Sequence, residues 1–435
     1  MQQIDLRILL LGGLIIIGGF TAGKLFQKIR IPRVLGFIVI GLILGESVLF
    51  ILHADILENL QPLVDLALGF IGFTVGTEFD VSKVIKGRKK LFIILMCEAM
   101  GTFALVTLLV FAWSANLYLA LIFGALASAT APAATIEVIK ECCAKGDLTQ
   151  TILFVMALDN VLAVLLFSFV FSYVKFSLAS GVISLITLIL QPLLEIGIAV
   201  VIGVGLGVIL TYLELQFTEE IELIILTLGS VILCAGLAET FGFSSILTNM
   251  ALGVTMANFK GSSIKPIEEK LEVLIVPIFI SFFVLTGAHL NFSILLEVGI
   301  IAALYIIGRT AGKILGSFGG ARIAKMDTKI STNLGFGLLA QAGVALGLAY
   351  IAITELTPIG PNEAIMGLLI FNVIMAAVLI MEFMGPLGVK YAINRAGEAN
   401  SKDIDCEESD TEIMNETTVI QGEEITQTSK EETQI

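Results

Sequence analysis

Charge is scarce in this sequence. Only 14% of its 435 residues are Asp, Glu, Lys or Arg, while 57% are hydrophobic. An ordinary soluble domain is about one quarter charged, so that class is excluded. Histidine is almost missing as well, with two residues in the whole chain. The five cysteines, Cys97, Cys142, Cys143, Cys234 and Cys406, follow the spacing of neither a disulfide framework nor a metal motif. Cys142 and Cys143 are vicinal and fall in a short loop. No nucleophile–histidine pairing or phosphate-binding loop is legible, which argues against an enzyme and against a bound cofactor. No cleavable signal is evident either: the first apolar run follows Arg7 and is long enough to span a membrane itself.

Basic surplus is lacking too, and with it any sign of nucleic-acid binding. The net charge is −13, but it is unevenly spread. Residues 396–435 hold twelve acids and two bases, so most of the acidity belongs to the tail. This segment is polar, has no apolar period, and is expected to be a disordered cytoplasmic tail. Residues 1–395 are expected to form one transmembrane domain.

What fills that domain is a succession of continuous apolar runs, each about 20 residues long, which fits helices crossing a lipid bilayer better than the alternating strands of a barrel. The fold expected is an all-α polytopic membrane protein of about thirteen spans, at roughly 6–26, 33–52, 62–79, 90–113, 117–138, 149–174, 183–213, 221–239, 243–258, 270–289, 294–318, 331–354 and 363–389. The ninth is short, and the seventh is interrupted by Gln191-Pro192. Lys and Arg fall overwhelmingly in alternate loops, such as Lys24–Arg33, Lys83–Lys90 and Arg322–Lys329, whereas the opposite side has Arg7 and Lys175. This bias puts the N-terminus outside and the C-terminus in the cytoplasm of a cell's cytoplasmic membrane.

Four stretches break the apolar pattern. Phe154–Phe167 (FVMALDNVLAVLLF) holds Asp159 and Asn160 in mid-span. A charge at bilayer depth costs about 2.5–3.5 kcal/mol, so such an acid implies a task. Asp159 is the candidate for holding a cation or proton, and the Asn160 amide oxygen can coordinate a hard monovalent cation but carries no proton. Leu126–Val138 (LASATAPAATIEV) clusters Ser128, Thr130, Pro132 and Thr135, the composition of a broken helix lining a polar cavity. Gly335–Ala349 (GFGLLAQAGVALGLA) carries the single polar Gln341. These two stretches lie seven spans apart, so any repeat relating them would be inverted in the membrane. Finally, Arg309 and Lys313 lie four residues apart on one face of the eleventh span. Lys313 is the expected partner of Asp159. Pairing at about 4 Å returns on the order of 4 kcal/mol at an effective dielectric near 20, which offsets much of the cost of burying both. Arg309 reads as an anchor or second-choice partner. Glu98 and Glu195 are the deeper of the remaining acids.

In order along the chain, these motifs resemble those of the second monovalent cation:proton antiporter family, the Kef-type and NapA-like exchangers. The resemblance is carried by RIPRVLGFIVIGLILGE (Arg30–Glu46), GFTVGTEFD (Gly72–Asp80), ASATAPAATIEVIKE (Ala127–Glu141), GFSSILTNMALGVTMAN (Gly242–Asn258), GRTAGKILG (Gly308–Gly316) and GFGLLAQAGVALGLA. It covers roughly residues 6–390. It implies a thirteen-helix fold with dimerisation and core parts, a homodimer, and an elevator-like movement. It also implies that Asp159 lies on the ion-binding helix, Thr130 at the helix break, and Lys313 facing the acid. Glu46 stands where the family usually has proline. More consequentially, relatives usually keep the essential acid at the second position of the pair, where this chain has Asn160. The expectation is therefore exchange of Na+ for H+ through Asp159, with fewer charges moved per cycle than in two-aspartate relatives. The alternatives are K+/H+ exchange or gated K+ efflux, and a non-exchanging solute transporter or sensor on the same fold.

Overall fold

The computed structural model describes residues 2–29, 31–79, 89–179, 185–214, 216, 220–260, 265–290 and 299–399. The basic loop at Lys83, Lys86 and Arg88, and the acidic tail from residue 400 onward, lie outside the described residues. Among the described residues the chain is helical throughout, apart from a single isolated bridge between Gly45 and Leu52. The helices are α1 (Gln2–Lys28), α2 (Arg33–Leu44), α3 (Ala54–Asn59), α4 (Gln61–Thr77), α5 (Lys89–Ser114), α6 (Leu117–Ser128), α7 (Pro132–Glu141) and α8 (Asp147–Ala179). They continue with α9 (Leu185–Glu214), α10 (Glu220–Phe241), α11 (Ser245–Lys260), α12 (Lys265–Ala288), α13 (Gly299–Ile323), α14 (Thr328–Asn333), a 3₁₀ turn (Leu334–Leu338), α15 (Gly343–Leu356) and α16 (Pro361–Ala396). Seven of the described helices are long and apolar enough to cross a membrane. The bent pair Thr328–Leu338 and Gly343–Leu356, which meets at 50°, brings this to eight. Pro192 is accommodated inside α9, which runs unbroken.

One expected span is shorter than the apolar run suggests. The second apolar run covers 33–52, but α2 stops at Leu44. Gly45 leaves the helix in an extended conformation, because its Cα lies against the backbone of Ala288 at the end of α12, where a Cβ would stand 2.5 Å from the Ala288 carbonyl oxygen. The chain then folds back, with the Leu52 amide donating to the Leu44 carbonyl at 2.8 Å. Val48 and Phe50 in this turn are apolar and exposed, so composition alone does not separate them from a span. Among the described residues Cys97, Cys142 and Cys234 are free thiols.

Packing divides the helices by neighbours. α1, α2 and α12 pack together, and α11 is wedged between α4 and α9. On the other side α5, α6, α8, α13 and α16 surround the two breaks. The tightest seam is α5 against α13. Gly308, Gly312, Gly316 and Gly320 recur every fourth residue, so α13 presents one smooth face, as small residues do at close helix crossings in membranes. A Cβ on Gly312 would stand 2.6 Å from Thr102 Cα, and one on Gly316 2.8 Å from the Cys97 carbonyl oxygen. Gly316→Val is therefore expected to push the helices apart and cost about 1–3 kcal/mol or more. The measurement is the thermal unfolding midpoint in detergent, and an unchanged midpoint would contradict this packing.

Candidate ion-binding site

Between Ile152 and Phe167 the only polar side chains on α8 are Asp159 and Asn160. Both are fully buried. They face the point where α6 ends at Ser128 and α7 begins at Pro132. Ala129 and Ala131 between them are extended, so the span is broken there rather than merely kinked. Proline lacks the N–H that would have bonded the carbonyl four residues earlier, that of Ser128. Lys313 takes that carbonyl instead, its Nζ donating to Ser128 O at 2.5 Å.

The Lys313 ammonium is the centre of the site. Besides Ser128 O, it lies 2.7 Å from Asp159 Oδ2, 2.8 Å from Thr130 Oγ1 and 2.6 Å from Glu98 Oε1. An ammonium has three protons to give, so four oxygens compete for them. The Thr130 hydroxyl donates its own proton to Asp159 Oδ2 in a short contact. The amide of buried Thr130, in the break ahead of α7, donates to Asn160 Oδ1 at 3.2 Å. Asp159 Oδ1 and Asn160 Nδ2 have no hydrogen-bond partner among the described residues. Buried polar atoms are normally paired, so the orphaned Asp159 Oδ1, an acceptor, marks a place where a cation can bind, whereas Asn160 Nδ2 is a donor.

One turn before Lys313, Arg309 is also fully buried, yet it meets no carboxylate. Its Nη1 donates to Leu339 O at 2.6 Å, and its Nη2 to Ala129 O at 2.8 Å and Ala340 O at 3.0 Å. Residues 339–342 lie between the 3₁₀ turn and α15. The guanidinium thus bridges the two helix breaks through carbonyls that lost their helical partners. The Ala131 amide donating to Ala340 O at 3.0 Å, and Gln341 Nε2 donating to Leu126 O at 3.0 Å, complete the junction. Gln341 is held in turn by Tyr305, whose hydroxyl accepts from Gln341 Nε2 at 2.8 Å.

The structure therefore brings Asp159, Asn160, Thr130, Lys313 and Glu98 together. Ser128 joins through its carbonyl only, since its hydroxyl donates to Ala125 O at 2.7 Å. Arg309 and Gln341 hold the breaks and, among the described residues, make no hydrogen bond to Asp159. Glu195, ranked beside Glu98 from sequence, lies elsewhere: Ser172 donates to it at 2.5 Å on the wall of a cavity of about 1100 Å³. Asp65, Glu239, Lys175, His289 and Tyr350 also line this cavity. It reaches Phe167 on α8, eight residues or about 12 Å along the helix from Asp159. Two contributors escaped sequence reading. Tyr305 had a signal, because it continues the four-residue stripe of Arg309 and Lys313. Glu398 had none, being lost in the acidic tail, yet its carboxylate accepts from the Leu148 and Thr149 amides at 2.8 Å and so caps the helix that carries Asp159.

Two broken helices meeting beside buried charge are the architecture of a secondary transporter. A family model described as "Sodium/hydrogen exchanger, transmembrane" matches residues 13–393. The chain belongs to this family, a family of monovalent cation:proton antiporters, and it is a multi-pass membrane protein. It is 24% identical over 402 residues to the Na(+)/H(+)-K(+) antiporter GerN of Bacillus cereus, covering 89% of this chain and 96% of that one. It is 23% identical to a Na(+)/H(+) antiporter of Enterococcus hirae, covering 87% and 96% of the two chains. To the ammonium/H(+) antiporter subunit AmhT of Alkalihalophilus pseudofirmus it is 21% identical, covering 87% and 94%. Its fold is similar to the solved structure of the sodium proton antiporter MjNhaP1 from Methanocaldococcus jannaschii, with a TM-score of 0.69 at 21% identity, covering 92% of this chain and 100% of that one. These relatives are transporters rather than enzymes.

Proposed function

We propose that this protein exchanges Na+ for H+ across the cytoplasmic membrane, and that Asp159 is the group for which the two ions compete. The observation that carries this reading is the single ammonium, that of Lys313, placed 2.7 Å from the Asp159 carboxylate beside a helix break. Lys313 offsets the Asp159 charge in part, since Glu98 shares the same ammonium. A proton or a cation on Asp159 makes the lysine contact dispensable, so occupancy by one ion excludes the other and couples their flows. The fuller reading has about thirteen spans related by inverted repeats, a homodimer, an outer N-terminus and a cytoplasmic C-terminus.

The test is purified protein in proteoliposomes with an imposed pH gradient, comparing Na+, K+ and Li+. Sodium is expected to dissipate the gradient fastest. No dissipation by any of the three, combined with thermal stabilisation by an organic solute alone, would replace this reading with that of a solute transporter or sensor. Similarity to the Na(+)/H(+)-K(+) antiporter GerN and the ammonium/H(+) antiporter subunit AmhT favours a second reading within the same mechanism, in which K+ or ammonium is the preferred cation. The same comparison, with ammonium added, separates these.

Asn160 supplies an amide oxygen beside Asp159 but no proton site. Asn160→Ala is therefore expected to raise the half-saturating Na+ concentration about tenfold, the equivalent of about 1.4 kcal/mol, while leaving the pH midpoint nearly unchanged. A shift in the pH midpoint with unchanged Na+ dependence would contradict that role.

A further inference from the structure

The cavity that receives Glu195 is far larger than a bare ion needs. It holds about 1100 Å³, at the upper end of the roughly 300–1,000 Å³ of pockets that take small organic molecules. Its described lining residues include six acids, one lysine and no arginine. Lys175 is paired with Glu355 at 2.5 Å, so it does not balance the other acids. Asp65 accepts from the Gln61 amide at 2.9 Å and Glu195 from the Ser172 hydroxyl at 2.5 Å, and both donors are neutral. A cavity lined in this way selects cations.

The placement of the acids narrows the kind of cation. Asp65 on α4 faces Glu239 from the last turn of α10. Glu195 belongs to another wall, where α9 meets α8. Among the described residues, no three Asp, Glu, His or Cys side chains converge closely enough to hold a metal ion. A metal ion needs a convergent shell of oxygens, whereas carboxylates on separate walls suit separate ammonium groups on one flexible chain. Between the acids the lining is aromatic. Phe167 and Phe171 stack with ring centroids 5.1 Å apart, and Phe243 and Tyr350 extend this surface. Aromatic rings cover methylene groups and attract ammonium ions. Ser245 Oγ, on the same lining, is buried and has no hydrogen-bond partner among the described residues, so it is open to an N–H donor.

We propose that this cavity is a binding site for a linear oligoammonium ion, that is, a polyamine. One ammonium group meets the Asp65 and Glu239 carboxylates, another meets Glu195, and the methylene chain between them lies along the aromatic lining. The carboxylates bind in their charged form, so no proton is transferred and no covalent bond is made or broken. This site is separate from Asp159 and does not depend on the exchange reading.

The experiment is isothermal titration of spermidine into purified protein in non-ionic detergent at constant ionic strength. Wild type is expected to bind it saturably, one molecule per chain. Asp65→Asn combined with Glu239→Gln is expected to weaken binding about tenfold, since two partly exposed charge pairs are lost. Both replacements keep the side-chain shape, and the new Asn oxygen can still accept from Gln61. Mg2+ at the concentration of the spermidine is expected not to displace it. Three results would each overturn the proposal: no saturable binding by wild type, equal affinity in the double variant, or displacement by Mg2+ as effective as by a second polyamine, which would reduce the effect to charge screening. If the double variant fails to fold, Glu239→Gln alone decides, because that side chain is exposed. It is expected to bind about threefold more weakly, and an unchanged affinity would overturn the proposal.

Discussion

Asp159→Asn is expected to reduce Na+-driven proton movement in vesicles to background. Positioned proton-transfer groups are commonly worth about 10²–10⁴ in rate, and this one also holds the cation. The substitution is close to isosteric, and the site gives reasons for the fold to survive it. The amide oxygen can still accept from the Thr130 hydroxyl, and Lys313 keeps Glu98 and the Ser128 carbonyl. The loss should therefore appear in transport and not in the thermal unfolding midpoint. Normal exchange by Asp159→Asn would remove Asp159 from the mechanism. A collapsed fold would mean that its first task is to neutralise Lys313.

The second large effect is structural. Arg309→Met is expected to destabilise the protein by at least about 2 kcal/mol, because three buried carbonyls lose a donor, only that of Ala340 keeping another from the Ala131 amide, and each orphaned acceptor costs about 1–3 kcal/mol. These carbonyls belong to Ala129, Leu339 and Ala340, so the damage falls on both helix breaks at once. Transport should fail along with stability, which distinguishes this variant from Asp159→Asn. Arg309→Lys is expected to rescue only part of the loss, since an ammonium cannot present the planar fork that reaches both breaks. The readout is the unfolding midpoint of purified protein in detergent. A midpoint equal to wild type would show that the breaks hold each other without the guanidinium.

Much of this arrangement could be read in the sequence because bilayer depth makes polar residues conspicuous. Asp159, Asn160, Arg309 and Lys313 each interrupt a run of apolar neighbours, and Pro132 in an alanine-rich stretch announces the break. The structure adds what spacing along one helix cannot give. Glu98 looked like one of several acids within spans, and only the packing of α5 into the glycine face of α13 separates it from Glu195, which ends on a cavity wall. Ser128 belongs to the polar cluster at the break, and its carbonyl rather than its hydroxyl is what reaches the site. Arg309 and Lys313 share a helical face, and nothing in that spacing indicates that one would meet carboxylates and the other carbonyls. The early end of α2 was hidden for the opposite reason: its turn is as apolar as a span.

The central claim is that a cation and a proton compete for Asp159. The most direct measurement adds Na+ to purified protein in weakly buffered solution and records proton release alongside cation binding. The account predicts that Na+ binding ejects protons, and that Asp159→Asn neither binds Na+ nor ejects them. Na+ bound with no proton released by the wild type, or equal release by Asp159→Asn, would contradict it.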